Sequence, residues 1–363
     1  MNFWQQLKKP VIGLSPMDGV TDAPFRYIAA KYGEPDVVLT EFINVNGIYH
    51  APEQLFYDFL YHEIERPVVA QIYGNDPAFF YIAAKVVGEL GFDGVDINMG
   101  CPSKSVAASG SGAALIATPD LALDIVRAVK QGVADWVKDG LKDVRPELIA
   151  QTEATKNRLI ELGVSLPAER RHIPVSVKTR IGYKDVVAVD WVNTLLKEEP
   201  ANITMHGRTL KQMYTGSADW EQLYRAADAV AEWNSAHSSE QRITFLGNGD
   251  VQSLADADKR MSGNMDGVLI GRASFGHPWI FKGLDFDDVP LQERIAVAIE
   301  HAHLHARLKP EQMFVQLRKH LGWYMKGFHG AAQVRAELVR SENAEQVERI
   351  LAQVETTEIM LDN

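Results

Sequence analysis

The stretch Asp96-Ile97-Asn98-Met99-Gly100-Cys101-Pro102 follows an apolar run into Val95 and reads as a buried strand breaking into a Gly/Pro loop. It carries the single cysteine of the 363 residues. A lone cysteine commonly serves as a small buried hydrophobe. At a strand exit flanked by Gly100 and Pro102, however, a side chain is presented rather than packed, which makes this thiol a candidate reactive group. The same pattern recurs along the chain. Val11–Ser15, Val37–Thr40, Val68–Ile72, Val95–Asn98, Val175–Lys178, Asn202–Met205, Thr244–Gly247 and Gly267–Ile270 make eight strand candidates. Asp22–Tyr32, Pro77–Leu90, Pro119–Val137, Val189–Lys197, Trp220–Trp233 and Ser253–Met261 read as the helices between them. Apolar strands separated by helices imply a parallel sheet covered on its outer side. Eight βα units within about 280 residues fit an α/β fold closed as a (β/α)8 TIM barrel better than an open sheet.

Two segments leave the alternation. Lys142–His172 is a long interval with a helix at Pro146–Leu162, and reads as a solvated insertion on the outside or bottom of the barrel. Beyond Asp285-Phe286-Asp287-Asp288 no strand signal remains, and Leu291–Leu308, Glu311–Phe328, Ala331–Glu342 and Ala344–Thr356 read as helices. The expected division is a barrel over residues 1–284 and a small all-helical domain over 285–363. Within Glu311–Phe328, Phe314, Leu317, Leu321, Tyr324 and Phe328 form a core stripe. Lys319, Trp323 and Lys326 fall on the opposite face, with Arg318 at its margin. Such a face can be simply solvated, or it can follow RNA phosphates and stack on a base.

Composition narrows the classes. Apolar residues at 46% and charged residues at 23% describe an ordinary soluble chain. One cysteine excludes an intrachain disulfide and points to a reducing compartment, read as the cytoplasm. Met1–Pro10 lacks an apolar signal core, and no run approaches a membrane span. A net charge of −11 means that any RNA affinity must come from local basic patches. No metal site is expected. His301, His303 and His305, two residues apart, should spread around a helix at the surface. Ser109-Gly110-Ser111-Gly112 lacks the context of a dinucleotide fingerprint and reads as a mobile loop beside the thiol.

The strand exits carry the chemistry. In order they are Pro16-Met17-Asp18, Glu41, Gln71, Asn98 with Cys101, Lys178 with Arg180, His206-Gly207-Arg208, Asn248-Gly249-Asp250 and Gly271-Arg272. Polar residues end strands everywhere, so one such cluster says little; the full succession would converge in one bowl at the C-terminal face of a barrel. Loops after the last two strands often bind phosphate through backbone N–H groups, here Asn248-Gly249-Asp250 and Gly271, with Arg272 adding a charge-assisted contact. For a flavin mononucleotide (FMN), Lys178 suits the reduced ring's negative N1/O2 edge, and Gln71 could hydrogen-bond the ring.

Ser15-Pro16-Met17-Asp18-Gly19-Val20-Thr21-Asp22, Asp96–Pro102, Val177-Lys178-Thr179-Arg180, His206-Gly207-Arg208-Thr209, Asn248-Gly249-Asp250 and Gly271-Arg272 together resemble the ordered signature set of the tRNA-dihydrouridine synthases, with a closing segment similar to the bacterial B-type branch. The resemblance spans nearly the whole chain, including Arg318-Lys319-His320-Leu321-Gly322-Trp323-Tyr324. It implies FMN held by Pro16, Met17, Asp18, Gln71, Lys178, His206, Asn248, Gly249, Asp250, Gly271 and Arg272. It implies a uridine flipped from the D-loop of tRNA, with Asn98, Arg180 and Lys104 near the base and Arg318, Lys319, Trp323 and Lys326 on the RNA. Reduced flavin would pass hydride to C6, Cys101 would give a proton to C5, and NADPH or NADH would restore the flavin. For that role the thiol must keep its proton, with a pKa near or above the ordinary ~8.5. A monomer with no metal and no membrane partner is expected. Ser15 in place of the usual Ala, Leu246-Gly247, and the long 142–172 interval depart from the family pattern. A flavoprotein acting on a free small molecule and a silent RNA-binding barrel are the alternatives; the helical domain weighs against the first, and the complete bowl against the second.

Overall fold

The computed structural model describes residues 1–361, with side chains to residue 354. The apolar runs close into a parallel TIM barrel: β1 (Val11–Leu14), β2 (Val38–Leu39), β3 (Ile43–Asn44), β4 (Val68–Tyr73), β5 (Gly94–Met99), β6 (Val175–Arg180), β7 (Asn202–His206), β8 (Thr244–Asn248) and β9 (Gly267–Ile270). Pairing of β1 with β9 and of β2 with β4 completes the ring. The second stave, expected as one strand at Val37–Thr40, is split into β2 and β3, both paired with β4. The break has a local cause. The Thr40 hydroxyl takes the Gln71 backbone N–H (2.9 Å) that a strand carbonyl would otherwise accept.

Ladder register sorts the inward side chains into layers. Gln71, Asp96 and Ser176 are level across β4–β6, and Arg180, His206 and Asn248 are level across β6–β8 nearer the mouth. At the opposite end a short helix, Phe3–Gln6, was not legible in the sequence. Its Trp4 is fully buried in a separate cluster with Val11, Val37, Leu39, Val69, Leu246 and Leu269, and stoppers the N-terminal end of the barrel.

The insertion helix, Pro146–Glu161, is more than a solvated decoration. Leu148 and Leu159 are fully buried in the main core, Lys156 reaches Glu89 (2.6 Å), and Arg158 donates to the carbonyl of Arg307 (3.1 Å) in the helical region.

The C-terminal helices are Leu291–Leu308, Phe314–Tyr324, Ala331–Leu338 and Ala344–Leu361. They gather a second core around Ile295, Leu317, Leu321, Tyr324, Leu338 and Leu351, into which Ile28 and Trp279 of the barrel insert. The helix expected to run to Phe328 opens with a 3-10 turn at Glu311–Met313 and stops at Tyr324, where Met325 leaves helical geometry (φ −95°, ψ 77°). Two of the three histidines expected at the surface are interior. His301 and His305 are 0% and 1% exposed, being one turn apart on the face that meets the barrel, while His303 is exposed. A buried ion pair braces the other side of the barrel helix Ala23–Gly33: Arg26 Nε lies 2.8 Å from Glu65, and its remaining nitrogens donate to the carbonyls of Thr21 and Leu60. Among the described residues no helix is long and apolar enough to cross a membrane, and no cluster of three His, Cys, Asp or Glu could hold a metal ion.

Candidate active site

The strand exits meet in one cavity of ≈ 630 Å³ at the C-terminal face. Pro16, Met17, Asp18, Gln71, Asn98, Cys101, Lys104, Lys178, Arg180, His206, Asn248, Gly249, Asp250, Gly271 and Arg272 all line it. Glu41 does not, and its neighbour Phe42 does. On the first loop, Val20 and Thr21 N–H both donate to Met17 O (3.0 Å each), making a tight turn that ends at Asp22, the N-cap of Ala23–Gly33.

Cys101 is 8% exposed, just past the end of β5. Burial pushes its thiol above the ordinary value, the Asp18 carboxylate adds to this, and the Ser103 backbone N–H opposes it. The thiol therefore stays protonated at neutral pH, as a proton donor requires. The residues after it are ordered: Lys104–Ala108 is a short helix and Gly112–Ala117 a 3-10 turn, with Ser111 buried between. The stretch read as a mobile loop is thus part of a folded connection.

Lys178 points into the cavity and donates to Asn248 Oδ1 (3.2 Å), and burial, with Arg180 adding repulsion, brings its ammonium down to about 8. His206 sits among Lys178, Arg180, Arg208 and Arg272; burial and then these cations hold its ring well below the usual range, so it is neutral. Its Nδ1 is buried with no protein partner, a polar atom that a ligand would satisfy.

The last two strand exits form an anion cradle. Gly249 adopts φ +124°, and a Cβ there would stand 2.8 Å from that of Ala218, so the backbone approaches as only glycine allows. Asp250, expected to meet the phosphate through its backbone, has its side chain engaged by the protein. Its carboxylate accepts from Arg208 (2.6 Å), Arg272 (2.8 Å) and the Ala218 N–H (2.8 Å), and these partners hold it ionised despite burial. It aims the two arginines. Arg208 is thereby a site residue that the sequence reading quoted only within a motif. The orphaned His206 nitrogen, the glycine approach, the arginine pair and the buried ammonium of Lys178 suit a planar, acceptor-rich group carrying phosphate.

Two residues expected to hold a substrate base are already engaged. Asn98 Oδ1 accepts from the Gly100 and Cys101 N–H groups (3.0 and 2.8 Å), and its Nδ2 donates to Gln71. Arg180 Nε donates to Gly100 O (2.6 Å) and Nη1 to Thr209 O and Met213 O, bracing the two loops that bound the cavity. Exposed Tyr214 stands on the second of these loops and lines the cavity; neither it nor Phe275 was singled out from the sequence.

A second hollow of ≈ 770 Å³ adjoins the first, sharing Gln252, Arg272 and Phe275. Its wall on the helical side includes Arg318, Lys319, Trp323, Lys326 and Arg335, and among the described residues no carboxylate lines it. Trp323, expected to face RNA, instead stacks on Phe275 of the barrel (4.2 Å between centroids, 12° between planes). Lys319 donates to the carbonyl of Gly19 on the first barrel loop.

The sequence matches the profile of the family Dihydrouridine synthase (Dus) over residues 13–139 and 154–360. The gap in the match falls at the start of the interval read as an insertion. "Probable tRNA-dihydrouridine synthase 2" of Bacillus subtilis (strain 168) is 30% identical over 359 residues, covering 96% of this chain and 95% of that protein. "Probable tRNA-dihydrouridine synthase" of Staphylococcus aureus (strain MRSA252) is 30% identical over 368 residues, covering 98% and 96%. A solved structure of DHODH from Eimeria tenella in complex with ferulenol superposes with a TM-score of 0.46 at 11% identity, over 81% of this chain and 82% of that one.

Proposed function

The chain belongs to the dihydrouridine synthase family, and from that membership we propose a cytoplasmic, FMN-dependent oxidoreductase that reduces the C5=C6 bond of uridines in the D-loop of tRNA, with NADPH or NADH as reductant. Bound flavin supplies the hydride donor for C6 of the uracil. The chain's residues do the rest. Lys178 and Gln71 hold the ring edge, neutral His206 offers a hydrogen-bonding nitrogen, and Arg272 with the Asn248–Asp250 and Gly271 backbones takes the phosphate. Pro16, Met17 and Asp18 supply the wall.

Uracil yields to reduction only when it is held in contact with its donor, so orientation carries much of the rate. The target base must leave the RNA stack to enter the cavity, passing Lys104 and Tyr214 at the rim. Cys101 holds its proton on Sγ until charge develops at C5 and then donates it there. Arg180 and Asn98 act first by fixing the loops around that thiol.

The observation that carries this reading is the continuity of the cavity with a groove lined by Arg272, Arg318, Lys319, Lys326 and Arg335 and, among the described residues, by no carboxylate. A reductase of a free small molecule has no use for it, whereas an RNA backbone does. Trp323 enters as the floor of the groove through its stack on Phe275.

Mass-spectrometric mapping of dihydrouridine in tRNA from a strain lacking this protein tests the proposal. Loss of the modification at a defined position is expected; unchanged dihydrouridine at every position refutes it. Purified protein should also show a flavin absorption band, and a colourless protein that gains none with added FMN removes the cofactor from the reading.

A further inference from the structure

The hydrogen bonds beneath Cys101 have only one workable polarity. The Gly100 and Cys101 peptide N–H groups can only donate, so Asn98 must turn Oδ1 toward them, at 3.0 and 2.8 Å. Its Nδ2 then faces Gln71 and requires Oε1 there, at 2.9 Å. Gln71 is left presenting Nε2 to Asp96, whose Oδ2 accepts at 2.7 Å. Asp96 Oδ1 in turn accepts from Ser176 Oγ at 2.7 Å. Gln71, Asp96 and Ser176 are fully buried and Asn98 is 6% exposed, so a failed link leaves an unmatched polar atom in the interior. The register supports the relay, since Gln71, Asp96 and Ser176 are direct neighbours across three strands.

We propose that Asp96 is a positioning residue for the Cys101 thiol: by accepting from Gln71 it fixes both amides, and through them the peptide from which Cys101 projects. Asp96 does not line the cavity, so it acts through the relay and not on substrate. The proposal rests on the proposed role of Cys101, but its main test does not.

Two substitutions separate polarity from charge. In Asp96→Asn the amide can offer Oδ1 to Gln71 and Nδ2 to Ser176, whose proton turns to Val95 O (3.4 Å). The relay keeps its direction. In Asp96→Ala the acceptor is gone and the Gln71 amide loses its anchor. Because Cys101 is the only cysteine, iodoacetamide reports on this one position without any substrate.

In purified full-length protein at matched flavin content, Asp96→Ala should raise the alkylation rate about tenfold, by local opening around a largely covered thiol, and Asp96→Asn should stay within about twofold of the parent. The kcat for tRNA should fall about tenfold in Asp96→Ala with NADPH oxidation retained, and Asp96→Asn should restore it. An Asp96→Ala rate equal to the parent's, or an Asp96→Asn rate equal to that of Asp96→Ala, overturns the proposal. Should Asp96→Ala fail to fold, Gln71→Met interrupts the relay from its middle, and a parental alkylation rate in that variant overturns it equally. Faster alkylation with tRNA turnover intact supports the positioning and counts instead against Cys101 as the proton donor.

Discussion

Replacing Arg26 by Met tests how the first loop of the bowl is held. The Arg26 and Glu65 side chains are each 1% exposed and pair at 2.8 Å. Arg26 also donates to Thr21 O (3.0 Å), at the end of the Met17 turn, and to Leu60 O (2.7 Å). The substitution keeps most of the side-chain volume but leaves Glu65 with one donor, the His62 N–H at 2.7 Å. Removing one partner of a buried pair costs about 3–5 kcal/mol, against a total stability of roughly 5–15 kcal/mol. Burial already holds the Glu65 carboxyl above its ordinary pKa, with Arg26 pulling it down; without Arg26 it must rise further. A carboxyl whose folded pKa exceeds its unfolded value binds more protons folded than unfolded. The variant therefore loses stability as pH climbs from the unfolded value, near ~4.3, to its folded pKa, at up to about 1.4 kcal/mol per pH unit. Equilibrium urea unfolding of parent and variant at about pH 5.5 and about pH 8 reads this directly. The deficit should be larger at the higher pH, and Arg26→Met with Glu65→Leu should recover most of it. A deficit below about 1 kcal/mol, or one equal at both pH values, refutes the account.

Cys101→Ala should retain bound flavin and NADPH oxidation while dihydrouridine formation falls by about 10²-fold or more, and stopped-flow kinetics that slow both half-reactions alike would contradict the proton-donor role. Lys178→Met should weaken flavin binding roughly ten- to hundredfold in a fluorescence titration, since a charge-assisted contact is lost; an unchanged Kd would place the ring elsewhere. Arg318→Glu with Lys326→Glu should raise the tRNA KM about tenfold and flatten its dependence on log salt by roughly 0.7–0.9 per lost phosphate contact, with NADPH oxidation spared. Lys319 is left in place there because it also tethers the Gly19 loop.

The barrel was readable because each stave is a run of buried residues closed by a polar exit, a local pattern. The features that escaped depend on partners distant in sequence. Trp4 sits on a helix of four residues, too short for any periodicity. The sequence marks Asp250 as a phosphate-loop residue but not the task of its carboxylate, which the fold sets between Arg208 and Arg272. Asn98 reads as a substrate ligand until strand register sets Gln71 beneath it. The histidines follow two spacings at once: residues two apart diverge on a helix, but His301 and His305, four apart, return to one face and are buried together. Trp323 was rightly put opposite the helical core, yet that face meets the barrel as well as the groove.

The Trp4 stopper closes the N-terminal end of the barrel, opposite the cavity at the C-terminal face. Around that indole the N-terminal end of the barrel is filled by Val11, Val37, Leu39, Val69, Leu246 and Leu269, with Asn202 and Thr244 buried beside them in register with Ser176. In the proposed reaction a thiol that gives up its proton in the bowl would be recharged through the mouth, where exposed Asp18 stands close enough to Cys101 to influence its ionisation. RNA seated over that mouth, as proposed, would cover the way. Recharging of the acid would then follow departure of the product, so that each modified base would call for its own encounter.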